Sequence, residues 1–400
     1  MKDYLKIEYL YILLVLAHEP LFKFVLKVDG SGRSTLAFTF LILFILYKKG
    51  DLLNVTFRKP VVIWFIWAVY AFVNSLINGY GDDSMPVYSI FLVLIVPVVL
   101  MTLIVVLYKK DYRRLLTVLI CSMYLGIFVI LLFNRSAAFE EGRYGGEGMN
   151  SNTIGIMNVV LLMFIYLKYL IKDLTIKHAL LIGALPVIII IMTGSKTAFG
   201  GLLFVILSHF LVNRSNSTIK NSIYFSFISI FLFFAINFVI NNTVVGDRIT
   251  RAADTGEELG FDTGSAVLDK FGDRGIYYYL GWQFFKKDPL FGIGLGKFKI
   301  FSDLDYTLHT EYMIQLTELG LIGFILFVFF YYTVFKKLIQ KKGNQQTKKL
   351  KEIYLAYVII LLAMITATRM YNQWYLFAVV GLAIGFVENQ RRCKVITVSQ

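Results

Sequence analysis

The sequence predicts an all-α polytopic membrane protein: about twelve transmembrane helices and one large extracytoplasmic loop containing short amphipathic helices. Three observations predict it. The mean hydropathy is +0.68, and 58% of residues are hydrophobic against 16% charged, a balance that soluble domains do not show. The apolar residues fall in blocks near the length a bilayer requires. Basic residues crowd alternate connections between those blocks, the pattern that marks cytoplasmic loops.

In chain order the blocks run over Tyr4–Ala17, Ser34–Tyr47, Val61–Ile77, Val87–Leu107, Leu115–Phe133, Thr153–Leu170, His178–Met192, Phe199–Val212, Ser222–Ile240, Tyr312–Phe335, Tyr354–Thr368 and Trp374–Val387. The first, second, eighth and twelfth are short for a span. No cleavable signal peptide is expected, because the first block lacks a small-residue cleavage site. Lysines and arginines cluster at 48–59, 109–114, 168–177, 214–220 and 336–351, and again in the tail at Arg391, Arg392 and Lys394. The first loop, with Lys23, Lys27 and Arg33, is the exception. Both termini are therefore expected in the cytoplasm. The net charge of +14 then records topology, and no nucleic-acid partner is expected. Three regions follow: spans at 1–240, the large outer loop at 241–310, and the last spans with a cytoplasmic tail at 311–400. Cys121 within a span and Cys393 in the tail make no disulfide framework.

The long polar stretch Asn241–Thr310 is where function is expected, since a loop too long to be a connector is usually a working one. The outer face holds cations that run against the topological bias: Arg143, Lys196, Arg248, Arg251 and Arg274. Each could be a snorkelling or headgroup-contacting residue. Together they suit an anionic ligand, because guanidinium groups pair bidentately with phosphate. Lys196 stands on the turn Thr193-Gly-Ser-Lys between two apolar runs, where a basic residue is costly unless paired or facing a polar cavity. His309, just before the span near Tyr312, is a candidate general base. Glu318 could orient that base or fill a polar cavity; the plainer alternative is an interfacial acid in the first turns of a helix. Trp282 and Tyr277 to Tyr279 place aromatic rings in this stretch, which could pack it against lipid. Gly292-Ile-Gly-Leu-Gly-Lys297 lacks the ending and setting of a phosphate loop and reads as a turn back toward the bilayer. No metal is expected at Asp303-Leu-Asp305, and no zinc spacing or serine elbow is present.

The blocks Arg274 to Trp282, Pro289-Leu-Phe-Gly-Ile-Gly294, His309-Thr-Glu-Tyr312 and Glu318-Leu-Gly-Leu-Ile-Gly323 resemble the signature of the O-antigen ligase/polymerase superfamily. Gly194-Ser-Lys-Thr197 is similar to the family's Ser-Arg segment, with lysine for arginine, and Asn150-Ser-Asn152 to its asparagine-containing element. Thr310 stands where the family commonly has asparagine. The resemblance implies an inner-membrane enzyme that transfers a glycan from a polyprenyl diphosphate on the outer face, without metal or cofactor. It implies His309, Arg274 and Glu318 as catalytic residues, with Arg143, Lys196, Arg248 and Arg251 on the diphosphate. Asn152 and Trp282 would meet the glycan. Implied partners are the lipid-linked oligosaccharide, membrane lipids, a chain-length regulator and a flippase. A polymerase of lipid-linked repeat units is the expected activity, with a ligase its near rival. A secondary transporter would suit twelve spans, but internal repeats and paired broken spans are missing. A non-catalytic scaffold is a further alternative.

Overall fold

The computed structural model describes residues 7–21, 25, 39–44, 59–78, 87–133, 150–212, 273–302, 308, 310–340, 345–368, 370 and 373–398. Regular structure among them is helical, as expected for a chain that must pair its backbone within hydrocarbon. The principal helices are α1 (Ile7–Leu16), α2 (Lys59–Ile77), α3 (Val87–Phe133), α4 (Ser151–Leu170), α5 (Ile176–Met192), α6 (Lys196–Val212), α7 (Asp273–Lys287), α8 (Phe298–Ser302), α9 (Glu311–Ile339), α10 (Gln345–Met364) and α11 (Trp374–Val398). Among the described residues, four stretches are long and apolar enough to cross a membrane: Lys59–Ile77, Leu94–Phe133, Ser151–Leu170 and Glu311–Ile339. Ile7–Leu16, Ile176–Met192, Lys196–Phe210 and Trp374–Gln390 are shorter apolar helices. The protein is thus a multi-pass membrane protein, helical in the regular structure of its described residues. The expected block Ser222–Ile240 lies outside the described residues, as does most of Ser34–Tyr47.

Local chemistry explains where helices begin and bend. The Asn150 side chain accepts the Asn152 N–H at 2.8 Å and caps α4. Ser195 Oγ accepts the Ala198 N–H at 3.2 Å and starts α6. Within α3 the backbone becomes extended at Asp111. There the carboxylate accepts the Arg114 N–H at 3.0 Å, capping a second helical segment. The two spans expected on either side of the basic run at 109–114 are therefore two helices joined at Asp111.

The chain forms two compact units. The first comprises Met1–Ser122, Asp262–Leu338 and Ile365–Gln400. Its core is aromatic: Trp64 and Trp67 of α2 stack at 4.3 Å, and Trp64 meets Phe330 of α9 and Phe377 of α11 at 4.9 and 4.8 Å. A side chain at Gly385 of α11 would come within 2.8 Å of Tyr108 of α3, so a glycine is needed for that approach. Lys337 and Glu388 form a buried ion pair at 3.0 Å between α9 and α11. The second unit comprises Met123–Phe261 and Ile339–Met364. In it α4 packs on α5 and α6, and α6 on α10. The Tyr357 hydroxyl of α10 donates to the Met163 carbonyl of α4 at 3.3 Å.

Candidate functional site

In the first unit, the turn after α7 is joined to the head of α9 through a helix break. Gly320 has φ +64°, which interrupts α9 between Leu319 and Leu321. A break of this kind leaves carbonyls on one side and N–H groups on the other without helical partners. The Pro289–Gly296 turn supplies them. Ile293 and Gly294 N–H donate to the Thr317 and Glu318 carbonyls at 3.0 and 2.8 Å. Leu321 and Ile322 N–H donate to the Pro289 and Leu290 carbonyls at 2.8 and 3.3 Å. Gly292, with φ +70°, lies so close to α9 that a Cβ would fall 2.6 Å from the Glu318 carbonyl carbon. A Cβ on Gly320 would fall 2.4 Å from the Leu290 oxygen. The two glycine motifs are therefore halves of one junction. From α2, Asn74 Nδ2 donates to the Phe291 carbonyl at 2.7 Å and the Tyr70 hydroxyl to the Leu319 carbonyl at 2.7 Å.

Glu318 is fully buried at this junction, and its Oε2 accepts the Gly296 N–H at 2.7 Å. The next residue, Lys297, is also buried and donates its amine to the Asn78 carbonyl at the end of α2. Burial pushes the Lys297 pKa down. Within the stretch 241–310, residues Asp273–Lys287 form α7. It packs through Gly281, whose carbonyl accepts from Thr317 Oγ1 at 3.1 Å. Phe298 of α8 is fully buried and lies 6.3 Å from Tyr277 and 5.9 Å from Phe284, ring to ring. Trp282 and Tyr279 face outward, 48% and 53% exposed.

A second polar cluster at the head of α9 was not legible in the sequence. Glu311 is fully buried. Its Oε1 accepts from Gln315 Nε2 at 2.7 Å and its Oε2 accepts the Met370 N–H at 2.6 Å. Gln315 in turn accepts from Trp67 Nε1 at 2.8 Å. Glu311 also donates its own N–H to the Ile365 carbonyl at 3.0 Å. One carboxylate thereby ties the start of α9 to α2 and to the α10–α11 connection, two residues after His309. An acid in the first turn of an apolar helix reads as a partner of the helix dipole; its burial depends on neighbours far away in sequence.

In the second unit, the Thr193–Lys196 turn rests on α4. A Cβ on Gly155 would meet Ala198 Cβ at 2.6 Å and Thr193 Oγ1 at 3.0 Å. Lys196 is exposed at the first position of α6, while Thr193 and Ser195 beneath it are fully buried. Asn152, half-buried in the first turn of α4, lies one helical turn from Gly155 and so at the same end of the unit. The fold thus sets α4 at Gly155 against the Thr193–Ala198 segment, and Glu318 against the glycine turn. Arg274 occupies the first turn of α7. Arg143, Arg248, Arg251 and His309 lie outside the described residues.

No curated protein matches the chain. A family model described as O-Antigen ligase matches residues 179–328, from within α5 to within α9. That interval includes Lys196, Arg248, Arg251, Arg274, Trp282, His309 and Glu318, and leaves Arg143 and Asn152 outside. Over residues 179–328 the chain is thus similar to the O-antigen ligase family, consistent with the O-antigen ligase/polymerase superfamily that its motifs resemble.

Proposed function

We propose that the protein polymerises undecaprenyl-diphosphate-linked oligosaccharide repeat units into an O-antigen, capsular polysaccharide or exopolysaccharide. The reaction is a metal-independent, inverting glycosyl transfer on the outer face of the cytoplasmic membrane. One observation carries this reading: the hydrogen-bonded junction between the Pro289–Gly296 turn and the Glu318–Gly323 helix break. It explains why those two motif blocks occur together and fixes the chain on either side of them.

In the reaction, an acceptor hydroxyl oxygen forms the new bond to the anomeric carbon. The anomeric C–O bond to the diphosphate breaks, and its electron pair leaves with the diphosphate. The hydroxyl proton passes to His309. The charge developing on the leaving group is met by basic side chains, with Arg274, Lys196, Arg143, Arg248 and Arg251 in that role. Trp282 and Asn152 contact the glycan. Glu318 is assigned a positioning role, because its carboxylate already holds the Gly296 N–H. A chain-length regulator and a flippase are the protein partners of such an enzyme.

The test uses purified protein in liposomes with lipid-diphosphate-linked repeat units and a chelator, products being resolved by size. A ladder that is lost in Arg274→Ala and His309→Ala supports the polymerase. Product formed only after a core-lipid acceptor is added moves the reading to a ligase, the activity in the matching family's description. No transfer to any acceptor, with donor binding demonstrated, overturns both.

A further inference from the structure

We infer that the Pro289–Gly294 turn is a re-entrant element seated below the membrane–water boundary, with Leu290 and Phe291 in contact with the acyl chains of the bilayer leaflet. This surface contact with lipid is independent of the glycosyl-transfer reading.

Two helices gauge the depth of the turn. α2 begins at Lys59, preceded by Arg58, and these charges mark one edge of the hydrocarbon. A core of roughly 30 Å takes about 20 helical residues, which reaches just past Ile77. Asn74, which holds the Phe291 carbonyl, then sits about 7 Å inside the far boundary. In α9 the corresponding edge is at Lys336, which lies over the Tyr332 ring. Counting back about 20 residues places the far boundary near Leu316. Leu321 and Ile322, reached from Lys336 without crossing the break at Gly320, then lie about 7–9 Å beneath it, and Thr317 and Glu318 follow just past the break. The two helices agree, and neither estimate depends on which side is cytoplasmic.

The backbone of the turn suits that depth. Hydrocarbon demands that polar backbone groups be paired inside the protein, a demand that water does not make of a surface loop. Phe291 N–H donates to Asp288 Oδ1 at 3.3 Å and Gly292 N–H to the Asp288 carbonyl at 3.0 Å. Ile293 and Gly294 N–H are taken by α9, and the Pro289, Leu290 and Phe291 carbonyls by α9 and α2. Yet the side chains of Leu290 and Phe291 point away from the protein, 53% and 52% exposed. A backbone paired at most of its polar groups, carrying bare apolar side chains, suits a lipid-facing surface. The flanks fit a boundary: Tyr279, Trp282, Lys286 and Lys287 are exposed on α7, the residue types of an interfacial belt. On the other side the chain rises to Lys297, bonded to Asn78 at the outer end of α2.

The test places a single cysteine at Leu290→Cys or Phe291→Cys, and at Ile300→Cys for comparison, in a full-length Cys121→Ser, Cys393→Ser background. Each is labelled with an environment-sensitive fluorophore and reconstituted in phosphatidylcholine liposomes without polyprenyl lipid. Nitroxides are carried either on the headgroup or on the acyl chain. The expected result is a blue-shifted label at 290 and 291, quenched more by the acyl-chain nitroxide and several-fold less accessible to iodide than the label at 300. Equal iodide access at the three positions, or stronger quenching from the headgroup, overturns the proposal. Burial that develops only when a polyprenyl phosphate is added also overturns it, assigning the surface to an isoprenoid tail. If Leu290→Cys fails to fold, Phe291→Cys carries the same measurement.

Discussion

Gly320 is where backbone geometry and packing meet in a single residue. Its positive φ costs an L-residue about 1–3 kcal/mol, and the Leu290 carbonyl stands where a Cβ would go. That oxygen is backbone and is held by Ile322, so it has little room to yield. Gly320→Ala is therefore expected to lower the thermal midpoint in detergent sharply. Gly200→Ala is the matched control: nothing lies within 4 Å of its Cβ position, and alanine favours a helix, so stability should hold or rise by up to about 1 kcal/mol. Equal losses in the two variants would contradict the junction. Glu318 poses a question of role at the same scale. If its carboxylate only accepts the Gly296 N–H, Glu318→Gln keeps an acceptor and should retain folding and most transfer activity. Glu318→Leu leaves that N–H unsatisfied, which costs about 1–3 kcal/mol. Activity lost in Glu318→Gln with its thermal midpoint intact would make the residue catalytic instead.

At the scale of elements, α9 is the organising helix of the first unit. Its head receives the glycine turn, its middle packs Phe330 against Trp64, and its basic end pairs Lys337 with Glu388 of α11. The Glu388 side chain is almost wholly enclosed, so removing either partner strands a charge in a medium that solvates it poorly. Glu388→Ala is expected to cost about 3–5 kcal/mol, read by denaturation in mixed micelles. The double replacement Lys337→Met, Glu388→Leu should recover most of that loss, because well-packed apolar residues need no partner. A double variant as unstable as the single one would show that the pair does more than neutralise itself. Asp111 is the counterpart in α3: a short acid following two lysines caps the next segment and lets the chain turn.

At the scale of the whole molecule, each unit presents motif residues at one end: Asn152 and Lys196 in the second, the glycine turn and Glu318 in the first. The glycosyl-transfer proposal assigns general-base work to His309, and losing such a group typically lowers a rate by about 10²–10⁴-fold. His309→Ala should therefore show that loss in the polymer ladder while donor binding survives. Arg274→Ala should weaken transfer through the leaving group. A His309→Ala protein that still polymerises at the wild-type rate would remove the histidine from the mechanism.

The sequence by itself determined the class of the molecule, most of its helices and the residues worth testing. Apolar blocks became α2, α4, α5, α6 and α9, and the basic run at 109–114 became the bend at Asp111. These features are local, governed by helix length, charge and capping within a few residues. Glycines in Pro-Leu-Phe-Gly and Glu-Leu-Gly were legible as a turn and a helix start. That they are one junction was not, because its hydrogen bonds join residues more than twenty positions apart. The same holds for Glu311, whose partners come from α2 and from the connection before α11. Whether an acid is a surface charge or a buried link depends on which chains surround it, and tertiary packing alone decided that.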